Sequence, residues 1–226
     1  MVNNHFFSPL QLNYQTQHHD YRFICVLDFE ATCDDVSNYD HEIIEFSSLL
    51  LRYSPKHNNY ITESTFKKYC KPKINSTLTK FCTNLTGITQ QQVNNASNFP
   101  QILEEHKKWI KEKCGNKKPI IATVGKYDLE VFMYNDCKKW NINNIDDIYK
   151  QFIDVNYIFQ NFYNIPHGGL KGMLKTLNIE SQGNSHNGLD DCINTAQIII
   201  RMVDDGFIVK KNLIYNITKY YNIYLS

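Results

Sequence analysis

The segment CVLDFEATCD, Cys25 to Asp34, constrains the fold more than any other. A short apolar run, Val26–Leu27, leads straight into Asp28 and Glu30 with only Phe29 between them. The run reads as a buried strand, where unpaired charge resists leaving water, so something must neutralise the two acids. On a strand, residues i and i+2 share a face with Cα atoms roughly 6–7 Å apart. Asp28 and Glu30 therefore project together while Phe29 turns to the opposite side. Carboxylates that close repel, and each gains by taking up a proton. A hard divalent cation, Mg²⁺ or Mn²⁺, reverses that preference and keeps positions open for water and phosphate. The plainer alternative pairs one acid with Lys or Arg and exposes the other.

The surroundings of this strand define the fold class. FICVLDFEA and HEIIEFSSLLLRYS read as buried strands, and ITESTFKKYCKP as a third, polar enough for an edge. The period then turns helical: TLTKFCTNLTGI is a short helix stopped at Gly87, and FPQILEEHKKWIKEKCG an amphipathic one closed by Gly115. PIIATVG and QFIDV read as short strands, YDLEVFMYNDCKKW as the helix between them, and YIFQNFYNI, LKGMLKTLNI and LDDCINTAQIIIRMVDDG as helices. Strands first, then strands alternating with helices, predict an α/β fold with a mixed sheet flanked by helices. The expected organisation is a loosely attached arm over 1–20, one domain over 21–208 and an extension over 209–226, open between helix and strand.

Composition narrows the setting. The 226 residues suffice for a sizeable core, and 42% are hydrophobic. No apolar run approaches membrane-spanning length and the N-terminus lacks a signal pattern, so an intracellular chain, cytoplasmic or nuclear, is expected. The seven cysteines are scattered without a CxxC pair, as expected of small buried thiols in a reducing compartment. A net charge of +1 leaves any nucleic-acid contact to a local patch. Lys67, Lys68, Lys71, Lys73, Lys171 and Lys175 are candidates for one, or simply solvated faces.

Further acids stand at element boundaries. Asp128 opens the helix after PIIATVG, where a plain N-cap is the simple reading. In SHNGLDDC, His186 precedes Gly188, and Asp190–Asp191 open the last helix. Four acids and a histidine at such boundaries can converge on one metal-filled cleft. That arrangement suits in-line attack on a phosphodiester, with two metals about 3.5–4 Å apart and a histidine taking the proton of the attacking water.

DFEAT, Asp128 in GKYDL and the H-x4-D run from His186 to Asp191 resemble, in order, the three motifs of the DEDDh 3'–5' exonucleases, which have an RNase H-like fold. HEIIEFSSLLL, FCTNLTGITQQQV, FYNIPHGGLKGMLKTLNI and HNGLDDCINTAQIIIRMVDDG resemble its Eri-type branch, which includes the three-prime histone mRNA exonuclease and the prion-protein-interacting exonuclease. The resemblance runs from about Arg22 to Gly206. It implies a metal-dependent exoribonuclease that releases nucleoside 5'-monophosphates from RNA 3' ends, single-stranded or with short overhangs, using two Mg²⁺ or Mn²⁺. It implies that Asp28 bridges both metals, that Glu30 and Asp191 hold the water-activating one, that Asp128 serves the second, and that His186 is the general base. The family's five-residue step from the histidine favours Asp191 over Asp190. For the terminal nucleotide it implies the Ala31–Thr32 backbone near the sugar, with Phe81, Thr86, Gly87, Ile88, Tyr127 and Leu129 around the base. Core packing is the competing role for Phe81, Ile88 and Leu129. Single-stranded DNA or short-oligonucleotide trimming, or an inactive binding adaptor, are the alternative functions.

The chain also departs from the pattern. Tyr127 stands where the family usually has tryptophan, and Ser47 where it usually has proline. Only about twenty residues precede the core, so the RNA-binding SAP module of the histone-mRNA enzyme is expected to be absent, and with it a basis for stem-loop targeting.

Overall fold

The computed structural model describes residues 18–36 and 39–217. Its centre is β1, Phe23–Ala31, a strand buried on both faces. Cys25, Leu27 and Phe29 point into one core cluster; Ile24 and Val26 point into the other. β2 (Ile43–Ser54) and β3 (Asn59–Lys71) pair beside it in an antiparallel meander. β5 (Ile120–Thr123) and β6 (Gln151–Asp154) add in parallel on its other side. The two-residue strands β4 (Ser97–Asn98) and β7 (Tyr215–Asn216) close the edges, giving a seven-stranded sheet of order β4-β3-β2-β1-β5-β6-β7. The mixed sheet matches the expectation; β3, expected at an edge, stands second in the order, with β4 paired to its last two residues, Cys70 and Lys71.

Helices cover both faces. Among those sharing the core of Cys25, Leu27 and Phe29 is α3 (Phe99–Cys114), capped by Asn98 through a reciprocal bond with Gln101. The opposite face holds α5 (Val155–Tyr163), α6 (Gly169–Thr176) and α7 (Gly188–Asp204). Of these, α7 lies directly on β1 and β2. Two short helices, α1 (Lys80–Thr86) and α2 (Gln90–Asn94), follow β3. Thr79 caps α1, and Gly87 ends it in a left-handed conformation, φ 71°, as its position in the sequence predicts.

One detail differs from expectation, and a segment left open between helix and strand takes a definite form. The segment after β5 is not a regular α-helix: Asp128–Met133 forms a π-helical turn that leads into α4 (Tyr134–Lys139). Such wide turns re-aim side chains and recur at functional sites. The chain after α7 forms a single 3-10 turn, Lys211–Leu213, and then β7. His18–Asp20, the described end of the expected arm, is tied to this tail: the Asp20 N–H donates to the Val209 carbonyl at 2.9 Å. The rest of the arm and the tail beyond residue 217 lie outside the described residues. No helix among the described residues is long and apolar enough to cross a membrane.

Candidate active site

Asp28 and Glu30 continue the row Ile24–Val26 along the α7 face of β1, and the row changes from apolar to acidic where α7 begins. Gly188, the first residue of α7, rests on the sheet: a Cβ there would lie 2.9 Å from Glu45 Oε1 and 3.1 Å from the Asp28 carbonyl. A side chain there would push Glu45 and the strand back by a few tenths of an ångström, so glycine suits the close approach. One turn into the helix, Asp191 reaches the two strand acids, and oxygens of Asp28, Glu30 and Asp191 all lie within 4.8 Å of one another.

Asp190 is turned away from this group. Its Oδ2 accepts the Asn184 N–H at 2.9 Å and holds the loop before α7, where a side chain at Gly183 would collide with it. Asp191 Oδ2 instead accepts the backbone N–H of His186 at 3.0 Å. His186 is exposed and has a left-handed backbone, φ 61°, a conformation that costs a non-glycine residue and needs outside support. Asp128 is no N-cap. Its Oδ1 accepts the Phe29 N–H of β1 at 2.8 Å, which places it beside Asp28.

The electrostatics follow from burial of like charges. Burial, and after it the charges of Asp128, Glu30, Asp191 and Glu45, hold the Asp28 carboxyl well above the usual carboxylate range. Burial and the neighbouring Glu45, Asp191 and Asp128 push Glu30 up to about 8, against the pull of Lys67. Burial lifts Asp128 to about 7 despite the Phe29 hydrogen bond. Burial also raises Asp191, opposed by the His186 N–H. A cluster of acids that resist ionisation side by side is the donor set that a hard divalent cation fits.

Comparison with known proteins agrees with this geometry. A family model described as Exonuclease, RNase_T, matches residues 25–199. The chain belongs to that exonuclease family. It is 40% identical to rat 3'-5' exoribonuclease 1 over 192 residues, covering 82% of this chain and 54% of the relative. It is 36% identical to human ERI1 exoribonuclease 3 over 195 residues, 84% of this chain and 56% of the relative. The chain thus spans about half the length of the curated relatives it matches. Among solved structures, the nuclease domain of 3'hExo, a DEDDh family member bound to rAMP, superposes with a TM-score of 0.78 at 37% identity, covering 84% of this chain and 96% of that one. The 3'-exonuclease solved in recognition of the histone mRNA stem-loop gives 0.75 at 37% identity, 82% of this chain and 83% of that one. The family is divalent-metal dependent, in keeping with the Asp28–Glu30–Asp191 group.

Within this exonuclease domain the nucleotide candidates divide by exposure. Tyr127 is 67% exposed and Phe81 43% exposed, so both offer rings to a ligand. Ala31, Thr32 and Leu129 are buried, and Thr32 Oγ1 accepts the Glu42 N–H at 2.9 Å. Thr86, Gly87 and Ile88 line a cavity of about 410 Å³ with Leu85, Glu45 and Asn187. Leu85, one turn after Phe81 and also exposed, had no assigned role in the sequence.

Glu45 also went without one. It is buried at 1% exposure, directly opposite Glu30 in the β1–β2 register. Its signal was present in HEIIEF: an acid inside an apolar strand, the same anomaly as at Asp28. Of the lysines considered for phosphate steering, three are engaged within the protein. Lys67 bonds to Glu45 and Asn187, Lys68 pairs with Glu105 at 3.4 Å, and Lys73 donates to the Lys139 carbonyl at 2.6 Å. Lys71, Lys171 and Lys175 are exposed.

Proposed function

We infer that the chain is a 3'–5' exoribonuclease that hydrolyses terminal phosphodiester bonds of RNA and releases nucleoside 5'-monophosphates. The observation that carries this reading is the convergence of Asp28, Glu30 and Asp191 within 4.8 Å, in a chain of the exonuclease family. Asp28, Glu30 and Asp191 would hold one divalent cation, and Asp28 with Asp128 a second, Mg²⁺ or Mn²⁺. When bound, such a pair supplies Lewis-acid stabilisation to the attacking and leaving oxygens. His186 takes the proton of the attacking water on its imidazole, which stands exposed beside the carboxylates. The backbone N–H of His186, bonded to Asp191, ties the turn that carries this imidazole to the carboxylates.

The RNA 3' end lies across the exposed rings of Tyr127 and Phe81, where stacking accepts any base. The Ala31–Thr32 backbone lies near the sugar, while Thr86, Gly87 and Ile88 border the base through the cavity they line. Leu129 is fully buried in the core, the packing role that competes with a contact to the base. Seven free cysteines accord with an intracellular setting, cytoplasmic or nuclear. The organisation into arm, nuclease domain over 21–208 and C-terminal extension belongs to the same reading.

The test is 5'-labelled RNA incubated with Mg²⁺, with a matched DNA oligonucleotide alongside. Wild type shortens the RNA from its 3' end, and Asp28→Asn slows this by at least about 10³-fold, the equivalent of roughly 4 kcal/mol. Equal degradation by both proteins, or none by either, overturns the assignment. Equal rates on DNA would move the substrate to single strands in general.

A further inference from the structure

The carboxylate group holds a fifth acid that lies outside the trio able to share a cation. Glu45 stands on β2 opposite Glu30, and its two oxygens are already engaged: Oε1 accepts the Ser47 hydroxyl at 2.8 Å, and Oε2 lies 3.0 Å from Lys67 Nζ. Lys67 comes from β3, directly opposite Ser47 in the β2–β3 register. The same ammonium donates to Asn187 Oδ1 at 2.8 Å. Asn187 sits between His186 and Gly188. Its side chain caps α7 through the Asp190 N–H, and its carbonyl accepts the Asp191 N–H at 2.9 Å. Glu45 also forms the floor under Gly188.

The turn carrying His186 and launching Asp191 is thus gripped from below by Glu45 and from the side by Lys67. That turn needs a grip, because His186 holds a left-handed backbone. We propose that Lys67, docked on Glu45, is a positioning residue that fixes the Asn187–Gly188 turn and so sets where His186 and Asp191 stand relative to Asp28 and Glu30. Lys67 touches neither substrate nor reacting atoms in this scheme. Its kinetic consequences rest on the exoribonuclease reading; its effect on the site itself does not.

A competing explanation is that Lys67 only compensates the buried charge of Glu45. The variants Lys67→Met and Glu45→Gln/Lys67→Met separate the two. The single variant leaves Glu45 unpaired and loses thermal stability under either explanation. The double variant removes both charges, which restores stability and leaves the net charge of the site unchanged, yet Asn187 still lacks its donor. Positioning therefore predicts recovered stability without recovered function. In the double variant kcat on RNA stays down by about 10–100-fold, the usual scale for residues that orient ligands, with KM within about twofold. Mn²⁺ binding to the substrate-free protein, followed by electron paramagnetic resonance, weakens by about tenfold in the double variant. In the single variant it also weakens, although loss of a positive charge alone would tighten it.

Asn187→Ala, which removes both the acceptor for Lys67 and the side-chain cap of α7, lowers kcat as the double variant does. The proposal is overturned if the double variant regains kcat and Mn²⁺ affinity together with stability. It is also overturned if Lys67→Met binds Mn²⁺ more tightly than wild type, or if KM rises while kcat holds. A wild-type protein inert on RNA would remove the exoribonuclease reading, and the Mn²⁺ measurements would still decide the role of Lys67.

Discussion

Two buried polar groups lie on opposite faces of β1 and are built on opposite terms. On the α3 face, His106 is fully buried, with Nδ1 2.7 Å from the Tyr149 hydroxyl and Nε2 3.0 Å from Ser48 Oγ. Burial lowers its pKa to about 3, so it stays neutral, satisfied on both nitrogens and packed among Phe46, Phe66 and Trp109. On the α7 face, Asp28, Glu30, Asp128 and Asp191 crowd together with raised pKa values. One group is settled by its neighbours, whereas the other conflicts with them and is relieved by an added cation. Satisfied burial marks architecture, and unsatisfied like charge marks a site that awaits a ligand.

The contrast predicts opposite responses to single substitutions. Asp28→Asn removes one of the repelling charges. It costs at least about 10³-fold in RNA hydrolysis, yet raises the melting temperature of the metal-free protein at pH 8, because relieved repulsion stabilises. Calorimetry with and without Mn²⁺ checks it; a lower metal-free melting temperature would break the comparison. His106→Ala works the other way. It opens a cavity and strands the Tyr149 and Ser48 hydroxyls, at a cost of about 3 kcal/mol. That lowers the melting temperature by roughly 6–12 °C for a chain of this size, with kcat per folded molecule retained. Loss of kcat in a protein shown to be folded would mean that the α3 face reaches the chemistry.

The difference between the two faces was only partly legible in the sequence. The alternation in FICVLDFEA gave the faces of β1, because strand period is local. The helix starts near Asp128 and Gly188 were legible for the same reason. Asp190 and Asp191 were separable only by resemblance, since which of two adjacent acids faces the sheet depends on how α7 docks. Glu45 shows in the sequence only as an acid in an apolar strand, and its link to Lys67 lies in strand register: Glu45 opposes Glu30, and Lys67 opposes Ser47. A lysine in the polar strand TFKKYC looks solvated until the partner across the ladder is known. The π-helical turn at Asp128 has no periodic signature short enough to appear in six residues. His106 sat unremarked in EEHKKW, where nothing local says that α3 buries it against β2.

The last predicted effect concerns pH, and here the two faces carry opposite slopes. A histidine with its folded pKa lowered to about 3 contributes stability that is present above about pH 6.5 and is lost as pH falls toward 3. Acids with raised folded pKa values do the reverse: their contribution is present near pH 4 and is lost as pH climbs through about 7 for Asp128 and about 8 for Glu30. Metal-free protein therefore sheds stability from the α7 face over pH 5–8 while the α3 face gains it up to about 6.5. A cation that occupies the acids must displace the protons they hold below that range, at about 1.4 kcal/mol per proton per pH unit. At a fixed Mn²⁺ concentration, the rise in melting temperature should be larger at pH 8 than at pH 6, and the apparent affinity about tenfold weaker per pH unit for each proton displaced. His106→Ala should leave that dependence unchanged, and Asp28→Asn should flatten it. A Mn²⁺ shift independent of pH would show that the carboxylates are already ionised without the cation, and the conflict on the α7 face would then not exist.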